Sequence, residues 1–368
     1  MTTITHFAHP SDLEADEMFV LRAERDIWGE VLQDKVGDMD MLEPAELVFS
    51  RGMHPRYHRQ IHLVASDAAS PSREDDVLGV ATLEFFMADN PRLATIGVAV
   101  RMNRRGEGIG AALHAAALEV ARNHGRLTIQ AWTWEPPEVP PGGVELGAET
   151  GSGSVDATSP ESHFLMHRGY VLGQFERISR LGLSEIDEAT ARRDEALDNK
   201  PEDFEVITLM NDVPERLFSG IAELCAAMAS DTPTGAMDLE DELWDADRFR
   251  ASLEEIKTAD RDQLLTVVRH IPSKRLVGFT RLFRDKSRPE VAHQWETLVL
   301  GEHRGHGLGM LMKVVNHGAV AEFWPEAQRL ITGNASENSH MLAINDALGF
   351  EPYAANGFWE LRLRGTDS

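Results

Sequence analysis

Arg105-Gly106-Glu107-Gly108-Ile109-Gly110 is a glycine-rich stretch that recurs later in the chain as Arg304-Gly305-His306-Gly307-Leu308-Gly309. Each copy follows an apolar run typical of a strand and precedes a long segment typical of a helix. A helix that starts after such a turn has unpaired N–H groups and a positive dipole end, which together bind anions. Glycine lets the turn adopt positive φ and lets the anion approach the backbone. The sequence therefore predicts two anion-binding loops, the first and second cradles, and one domain plan used twice.

The glycine spacing excludes two well-known phosphate loops. A Walker A loop has Lys and then Ser or Thr after its last glycine, whereas Ala111 and Met310 follow the two cradles. The dinucleotide fingerprint G-x-G-x-x-G has a different spacing from the alternating glycines found here. The pattern left in both copies is R-x-x-G-x-G. An ordinary strand-to-helix turn, packed tightly by glycine, is the alternative reading.

The R-x-x-G-x-G pattern resembles the motif with which GNAT acetyltransferases hold the pyrophosphate of acetyl-CoA. Val100 and Val299 stand where that family has a valine before the loop. The resemblance implies acetyl-CoA as cosubstrate, with a backbone N–H near one of these valines reaching the acetyl carbonyl. The implied cofactor-binding residues are Val98, Ala99, Val100, Arg105, Gly106, Gly108, Gly110, Ala111, Thr297, Leu298, Val299, Arg304, Gly305, Gly307, Gly309 and Met310.

The same order of predicted elements, β-α-α-β-β-β-α-β-α-β, appears twice and indicates an α/β fold. We expect two tandem GNAT-like domains, each a mixed, mostly antiparallel sheet flanked by helices and splayed between its fourth and fifth strands at a cofactor cleft. The predicted divisions are a first half at 1–185, a connection at 186–203 and a second half at 204–368. The Pro-, Gly- and Ser-rich segment 135–162 is predicted to be a floppy or domain-bridging loop.

Candidate catalytic residues are His293 and Glu296, on the strand that leads into the second cradle. Strict alternation predicts that they lie on opposite faces of the sheet, although a bulge would change that. A sheet-packing His293 and a surface-facing Glu296 are the alternatives. The matching stretch of the first half, residues 91–95, has no acid or imidazole, which favours the second half as the catalytic one.

Two positions carry further implications of the resemblance. Asn338 stands where the family has an asparagine that contacts CoA, and a helix N-cap is an equally good reading. The tyrosine that protonates the CoA thiolate in many family members is replaced by Asn345 in the second half and by Leu165 in the first. The sequence therefore leaves water or some other group as the acid for this step.

Acceptor recognition is predicted from a turn-rich acidic segment that contains Asp231 and Asp238, whose carboxylates could hold an amine. Acids that merely favour a helix start are the alternative. The net charge of −25 argues against nucleic acid and anionic membranes and is compatible with cationic small molecules. With Cys225 as its one cysteine and no spaced ligand set, the sequence predicts no disulfide within the chain, no metal and a cytoplasmic location.

These observations together predict an N-acetyltransferase that moves an acetyl group from acetyl-CoA to a primary amine of a small molecule or peptide by direct attack. The second half is expected to be catalytic, and a homodimer is possible. A mycothiol-synthase-like acetyltransferase is one alternative, because that family is also a tandem GNAT. A non-catalytic acyl-CoA-binding sensor or scaffold is the other.

Overall fold

The computed structural model describes residues 2–183, 186–231 and 233–363. Its strands are β1 (Thr3–Phe7), β2 (His58–Ser66), β3 (Gly79–Phe86), β4 (Leu93–Val100), β5 (Thr128–Glu135), β6 (Glu145–Gly147), β7 (Ser154–Asp156), β8 (Val171–Gly182), β9 (Phe204–Met210), β10 (Arg261–His270), β11 (Leu276–Asp285), β12 (Val291–Val299), β13 (Arg329–Ala335) and β14 (Glu351–Arg362). Its helices are α1 (Met18–Lys35), α2 (Ala45–Gly52), α3 (Ile109–Asn123), α4 (Pro160–Met166), α5 (Ile186–Asp198), α6 (Phe218–Asp231), α7 (Ala246–Thr258), α8 (Leu308–Phe323) and α9 (Ser339–Ala347).

Twelve of the strands form one sheet, in the order β1-β2-β3-β4-β5-β14-β8-β13-β12-β11-β10-β9. Neighbours are antiparallel except for β4 with β5 and β12 with β13, which are parallel. Helix α3 covers one face of the first half and α1 covers the other. In the second half, α8 and α6 occupy the corresponding faces. The predicted class, α/β with a mixed, mostly antiparallel sheet in each half, is confirmed.

The two halves exchange their closing strands. Strand β14 comes from the second half but pairs with β5 of the first, while β8 of the first half pairs with β13 of the second. The buried Trp359 and Ala355 of β14 consequently lie in the hydrophobic core of the first half. Divisions at 185 and 204 in the sequence therefore do not separate two closed sheets. The boundaries of the two domains stay a prediction.

Each half is splayed where the sequence predicts a cleft. Strands β4 and β5 pair only as far as Thr95 and Gln130, and β12 and β13 only as far as Gln294 and Thr332. Beyond these pairs the parallel strands diverge toward the cradles, which begin after β4 and β12. The divergence opens a gap between strands at the same relative position in both halves.

Segment 135–162 differs from its prediction as a floppy loop. It contains a two-stranded hairpin of β6 and β7. Ala148 and Val155 are buried in the core of the first half, and the N–H of Glu149 donates to the carbonyl of Leu172. Composition suggested mobility because most of the segment is polar. Burial of a few small apolar side chains against β8 and β14 is enough to order it.

The exchanged strand makes Trp359→Ala a test of the fold. Trp359 is fully buried, and its indole N–H donates to Thr133 Oγ1 over 3.1 Å. Removal of a buried tryptophan typically costs about 3–5 kcal/mol. We expect a much lower unfolding temperature in a circular dichroism melt. Trp295→Ala, at a tryptophan that is 44% exposed, is the matched control and should change little. Equal melting temperatures for the two variants would contradict the burial of Trp359 in the core.

Candidate functional site

Both cradles have the backbone conformation that their glycines permit. Gly106 and Gly108 have φ of 82° and 85°, and Gly305 and Gly307 have φ of 83° and 71°. A Cβ added at any of these four glycines would meet no described atom within 4 Å. Gly108 and Gly307 directly precede the first turns of α3 and α8. Open space in front of a helix N-terminus is what a bound phosphate requires.

Each cradle arginine is held by its own strand and by an acid. Arg105 Nε donates to the carbonyl of Val100, and Arg304 Nε donates to that of Val299 over 3.0 Å. Arg105 also forms an ion pair with Glu161 at 3.1 Å, and the same carboxylate binds Lys35 at 2.6 Å. Two cations therefore share one anion beside the first cradle. This leaves positive charge available for a phosphate group.

Arg304 of the second cradle forms its ion pair with Asp231, at 2.7 Å. Asp231 therefore contacts the predicted cofactor loop, although the sequence suggested that it binds the acceptor. Asp238, its predicted companion, is exposed and lies against the first half, where its carboxylate is 3.5 Å from Thr128 Oγ1. The two predicted acceptor residues thus contact different halves. Asn338 caps α9 by accepting the N–H of Met341, as its N-cap reading predicts.

A cavity of about 440 Å³, the cofactor cavity, extends from the first cradle into the gap between β4 and β5. It reaches all of the cofactor-binding residues that the sequence names in the first half. Its other walls come from α1, α3, α4, both faces of β5 and the residues just before β8. These include Trp28, Ala131, Trp132, Trp134, Pro160, Glu161, Phe164 and Tyr170.

A second cavity of about 330 Å³, the acidic cavity, lies on the other side of the splayed strands, between the sheet and α1 and α2. Trp28, Trp132 and Trp134 line both cavities, so the two spaces meet at these indoles. The acidic cavity also includes residues of β14 from the second half. Its polar lining comprises Glu24, Arg25, Glu43, Arg51, Gln60, Thr82, Glu84, Thr95 and Asn356.

Three buried oxygen atoms of this lining have no hydrogen-bond partner among the described residues: Glu24 Oε2, Gln60 Oε1 and Asn356 Oδ1. The nearest cationic candidate for Glu24 is the ring of His62, whose Nδ1 is 3.6 Å away. All three oxygens are acceptors, and unpaired buried acceptors are costly. The side chains of this lining therefore carry acceptor oxygens that lack a donor, and these oxygens have almost no surface exposed to the cavity.

Glu84 is a potential site residue that the sequence analysis missed. It lies on β3, opposite Thr95, with a carboxylate oxygen 3.0 Å from His58 Nδ1. Burial opposes the charge on Glu84, but the contact with His58 outweighs it and the pKa of Glu84 falls. Residues 91–95, at the start of the strand before the cradle, contain no base. Glu84 lies on the neighbouring strand β3, and the alternation of residues along that strand is the sequence signal that points to it.

Glu255, from α7 of the second half, is electrostatically coupled to this first-half pair. Burial raises the pKa of Glu255 to about 7, against the opposing charges of His58 and Arg51. Titratable groups of both halves thus meet on the α2–α7 side of the sheet.

The strict alternation predicted for β12 is wrong because the strand contains a bulge. Thr297 pairs with Thr280 and Gln294 with Leu282, so Trp295 and Glu296 together oppose Arg281. The extra residue reverses the alternation and places Glu296 on the same face as His293. No glycine or proline in β12 marks the position of the bulge.

His293 and Glu296 are both constrained electrostatically on that face. Glu296 forms a bidentate ion pair with the buried Arg281. Desolvation and the charge of Arg261 lower the pKa of His293 to about 4, so its ring is neutral at pH 7. A neutral imidazole can accept a proton, whereas the carboxylate of Glu296 is already neutralised by its partner.

Corresponding positions of the two cradle helices carry buried titratable groups. His114 of α3 lies 3.0 Å from the Tyr170 hydroxyl at the edge of the cofactor cavity, and burial lowers the pKa of His114 to about 4. Lys313 of α8 donates to Asn345, which stands at the position of the missing tyrosine. Burial lowers the pKa of Lys313 to about 7. Neither pair was anticipated, because each joins residues far apart in sequence.

Residues 2–183, 186–231 and 233–363 contain no group of three or more His, Cys, Asp or Glu side chains placed to hold a metal ion. Within the same ranges, no helix has the length and apolar character needed to cross a bilayer.

The doubled sheet, with a cradle at each splayed pair of strands, defines an α/β protein with two GNAT-type folds. Residues 39–138 match the model of the acetyltransferase (GNAT) family. This segment of the first half is therefore similar to GNAT acetyltransferases in sequence, and the complete chain has the fold of a tandem GNAT protein.

Solved structures extend the similarity over the whole chain. A tandem GNAT protein from the clavulanic acid biosynthesis pathway matches with a TM-score of 0.71 and 24% identity, over 100% of both chains. A GCN5-related N-acetyltransferase from Sphaerobacter thermophilus matches with a TM-score of 0.59 and 11% identity, over 98% of this chain and 96% of the other. No protein of curated function matches this chain in sequence. These likenesses describe the fold.

A third structural match is part of a larger protein. The glucosamine N-acetyltransferase region of a fungal multi-domain GH3 β-N-acetylglucosaminidase matches with a TM-score of 0.60 and 14% identity. The match covers 98% of this chain and 38% of that protein.

Lys313 provides a pH test of the second half. Its pKa falls from 10.5 to about 7 on folding, so between these values the unfolded state binds a proton that the folded state does not. Stability should therefore rise with pH across this interval. We expect the melting temperature of wild type, measured against Lys313→Met, to improve as the pH rises from about 7 to about 10. Lys257→Met, at an exposed lysine of α7, should differ from wild type in melting temperature by an amount that does not change with pH. A flat difference for Lys313→Met as well would contradict its buried, neutral state.

Proposed function

We propose that this chain is an acyl-CoA-dependent N-acyltransferase that moves an acetyl group to a primary amine, with the first half as an active site. The observation that carries the proposal is the junction of two cavities in the first half. One begins at an anion cradle, and the other contains unpaired acceptor oxygens. The phosphates of an acyl-CoA are complementary to the first cavity, and the N–H groups of an amine are complementary to the second.

The first half would bind acetyl-CoA through groups already in place. Backbone N–H groups at the start of α3 would receive the pyrophosphate, assisted by Arg105 and Lys35. The splayed part of β4, between Gly97 and Val100, would supply backbone donors to the acetyl carbonyl. Acetyl-CoA itself brings an activated thioester, so no covalent enzyme intermediate is required.

The acidic cavity would bind and orient the amine. Small rotations of the Glu24, Gln60 and Asn356 side chains would bring their unpaired oxygens to the N–H groups of the amine, and the stacked indoles would form the apolar wall. The new C–N bond forms as the C–S bond breaks, the amine loses one proton and the thiolate gains one. The buried carboxylate of Glu24 is the proposed acceptor of the amine proton. The hydroxyl of Tyr170, which is hydrogen-bonded to His114, lines the cofactor cavity.

The sequence favoured the second half as the catalytic one, and that remains the second candidate. Its cradle has the same backbone geometry, and His293 and Glu296 share a face because of the bulge in β12. The ion pair between Glu296 and Arg281 weakens the case for a general base there. A non-catalytic sensor, a mycothiol-synthase-like acceptor and the predicted cytoplasmic location are left open by these features.

Acetyl-CoA binding to each cradle can be tested separately with Gly108→Trp and Gly307→Trp. Each indole would fill the space in front of one helix N-terminus, so each variant should lose one binding site in isothermal titration calorimetry. Gly125→Trp is the matched control, because Gly125 also has positive φ, 70°, and open surroundings but lies outside the cradle. It should retain both sites. A folded wild-type protein that binds no acetyl-CoA would refute the proposal.

Glu24→Gln tests the acceptor site by removing charge while keeping shape. Hydrogen bonds to a charged group are worth about 1.5–3 kcal/mol, so kcat/KM should fall about ten- to a hundredfold. The measurement is CoA thiol release with a panel of primary amines that includes spermidine. Glu14→Gln, at an exposed carboxylate in the segment before α1, should leave the rate unchanged. A normal rate for Glu24→Gln would exclude Glu24 as the proton acceptor.

A further inference from the structure

The wall between the cofactor cavity and the acidic cavity is a pair of stacked indoles. Trp28 comes from α1 and Trp132 from β5. Their ring centroids are 6.2 Å apart, and the ring planes are inclined by 16°. Each ring is anchored to a different element of regular structure, and each lines both cavities. We call this pair the tryptophan wall.

Gly97 of β4 lies directly against the tryptophan wall. A Cβ built at Gly97 would be 3.4 Å from Trp28 Cζ2 and 3.5 Å from Trp132 Cη2. The two indoles therefore approach the backbone of β4 about as closely as a methyl group would allow. Any side chain at residue 97 would project into the remaining space between the rings. Glycine has no side chain, so this space stays open. Any other residue at position 97 would fill it with its side chain.

Anchoring at the first cradle determines which part of a long ligand reaches this wall. The cofactor cavity begins at Gly106–Gly110 and follows β4 back through Val100 and Val98 to Ile96. An elongated molecule whose phosphates sit at the cradle therefore extends its other end toward Trp28 and Trp132, beyond which Gly97 lines the acidic cavity. For an acyl-CoA, that end is the acyl group.

We propose that Trp28, Trp132 and Gly97 determine the acyl chain length, and that they restrict the first half to short acyl groups such as acetyl. This inference rests on the proposed function of the same site. A longer chain would have to displace Trp28 or Trp132, which stack on each other and are held by α1 and β5. The acyl carbon would stop at the wall, next to the acidic cavity where the amine is held.

The test is calorimetric titration of free CoA, acetyl-CoA and hexanoyl-CoA. Every protein in the test also carries Gly307→Trp, so that only the first cradle can bind the ligand. Wild type in this background should bind acetyl-CoA about tenfold more tightly than hexanoyl-CoA. Trp132→Ala should remove this preference by opening the wall. Gly97→Ala should weaken acetyl-CoA severalfold while leaving free CoA unchanged. Trp295→Ala, an exposed tryptophan of the second half, is the matched control and should behave as wild type.

The outcomes separate the two proposals. If free CoA binds but hexanoyl-CoA binds as tightly as acetyl-CoA in every variant, the tryptophan wall does not select the acyl group. If Gly97→Ala weakens free CoA as much as acetyl-CoA, its effect is structural and the inference fails. If free CoA and both acyl-CoAs fail to bind a folded protein, the proposed function fails together with the inference. Gly97→Ala adds one methyl group to a strand, so it provides a readout even if Trp132→Ala unfolds.

Discussion

The pairing of β14 with β5 and β8 is the constraint on which the rest of the structure depends. A splayed sheet has lost hydrogen bonds between its fourth and fifth strands, so the fifth strand needs a firm partner on its other edge. In the first half that partner is β14, which also brings Trp359 into the core and Asn356 into the acidic cavity. The cofactor cleft of one half is thus supported by residues of the other.

The elements that the sequence predicted best are those governed by local rules. Glycine spacing, a preceding apolar strand and a following helix are all contained in one short stretch, and both cradles have the expected positive φ. The order of elements and the splayed strands follow from the same resemblance. The strand exchange could not be read from the sequence, because a β14 that closed its own half would have the same alternating pattern.

Individual site residues were harder to predict because their positions depend on contacts between distant segments. Glu84 is adjacent to the cleft only through the pairing of β3 with β4, and Glu24 only through the packing of α1 on the sheet. One extra residue in β12 changes the face on which Glu296 lies. Asp231 and Asp238 are close in sequence, yet one contacts the second cradle and the other contacts β5.

The strand exchange also has a consequence for how the chain folds during synthesis. Thr128–Glu135 emerges from the ribosome long before Glu351–Arg362, the strand that completes its edge. Until then β5 has an open edge of unpaired backbone groups, which can attract other strands. N-terminal domains commonly fold first as they are made, but here the sheet of the first half cannot close until β14 has been translated. Chaperone protection would therefore matter most while the second half is being translated.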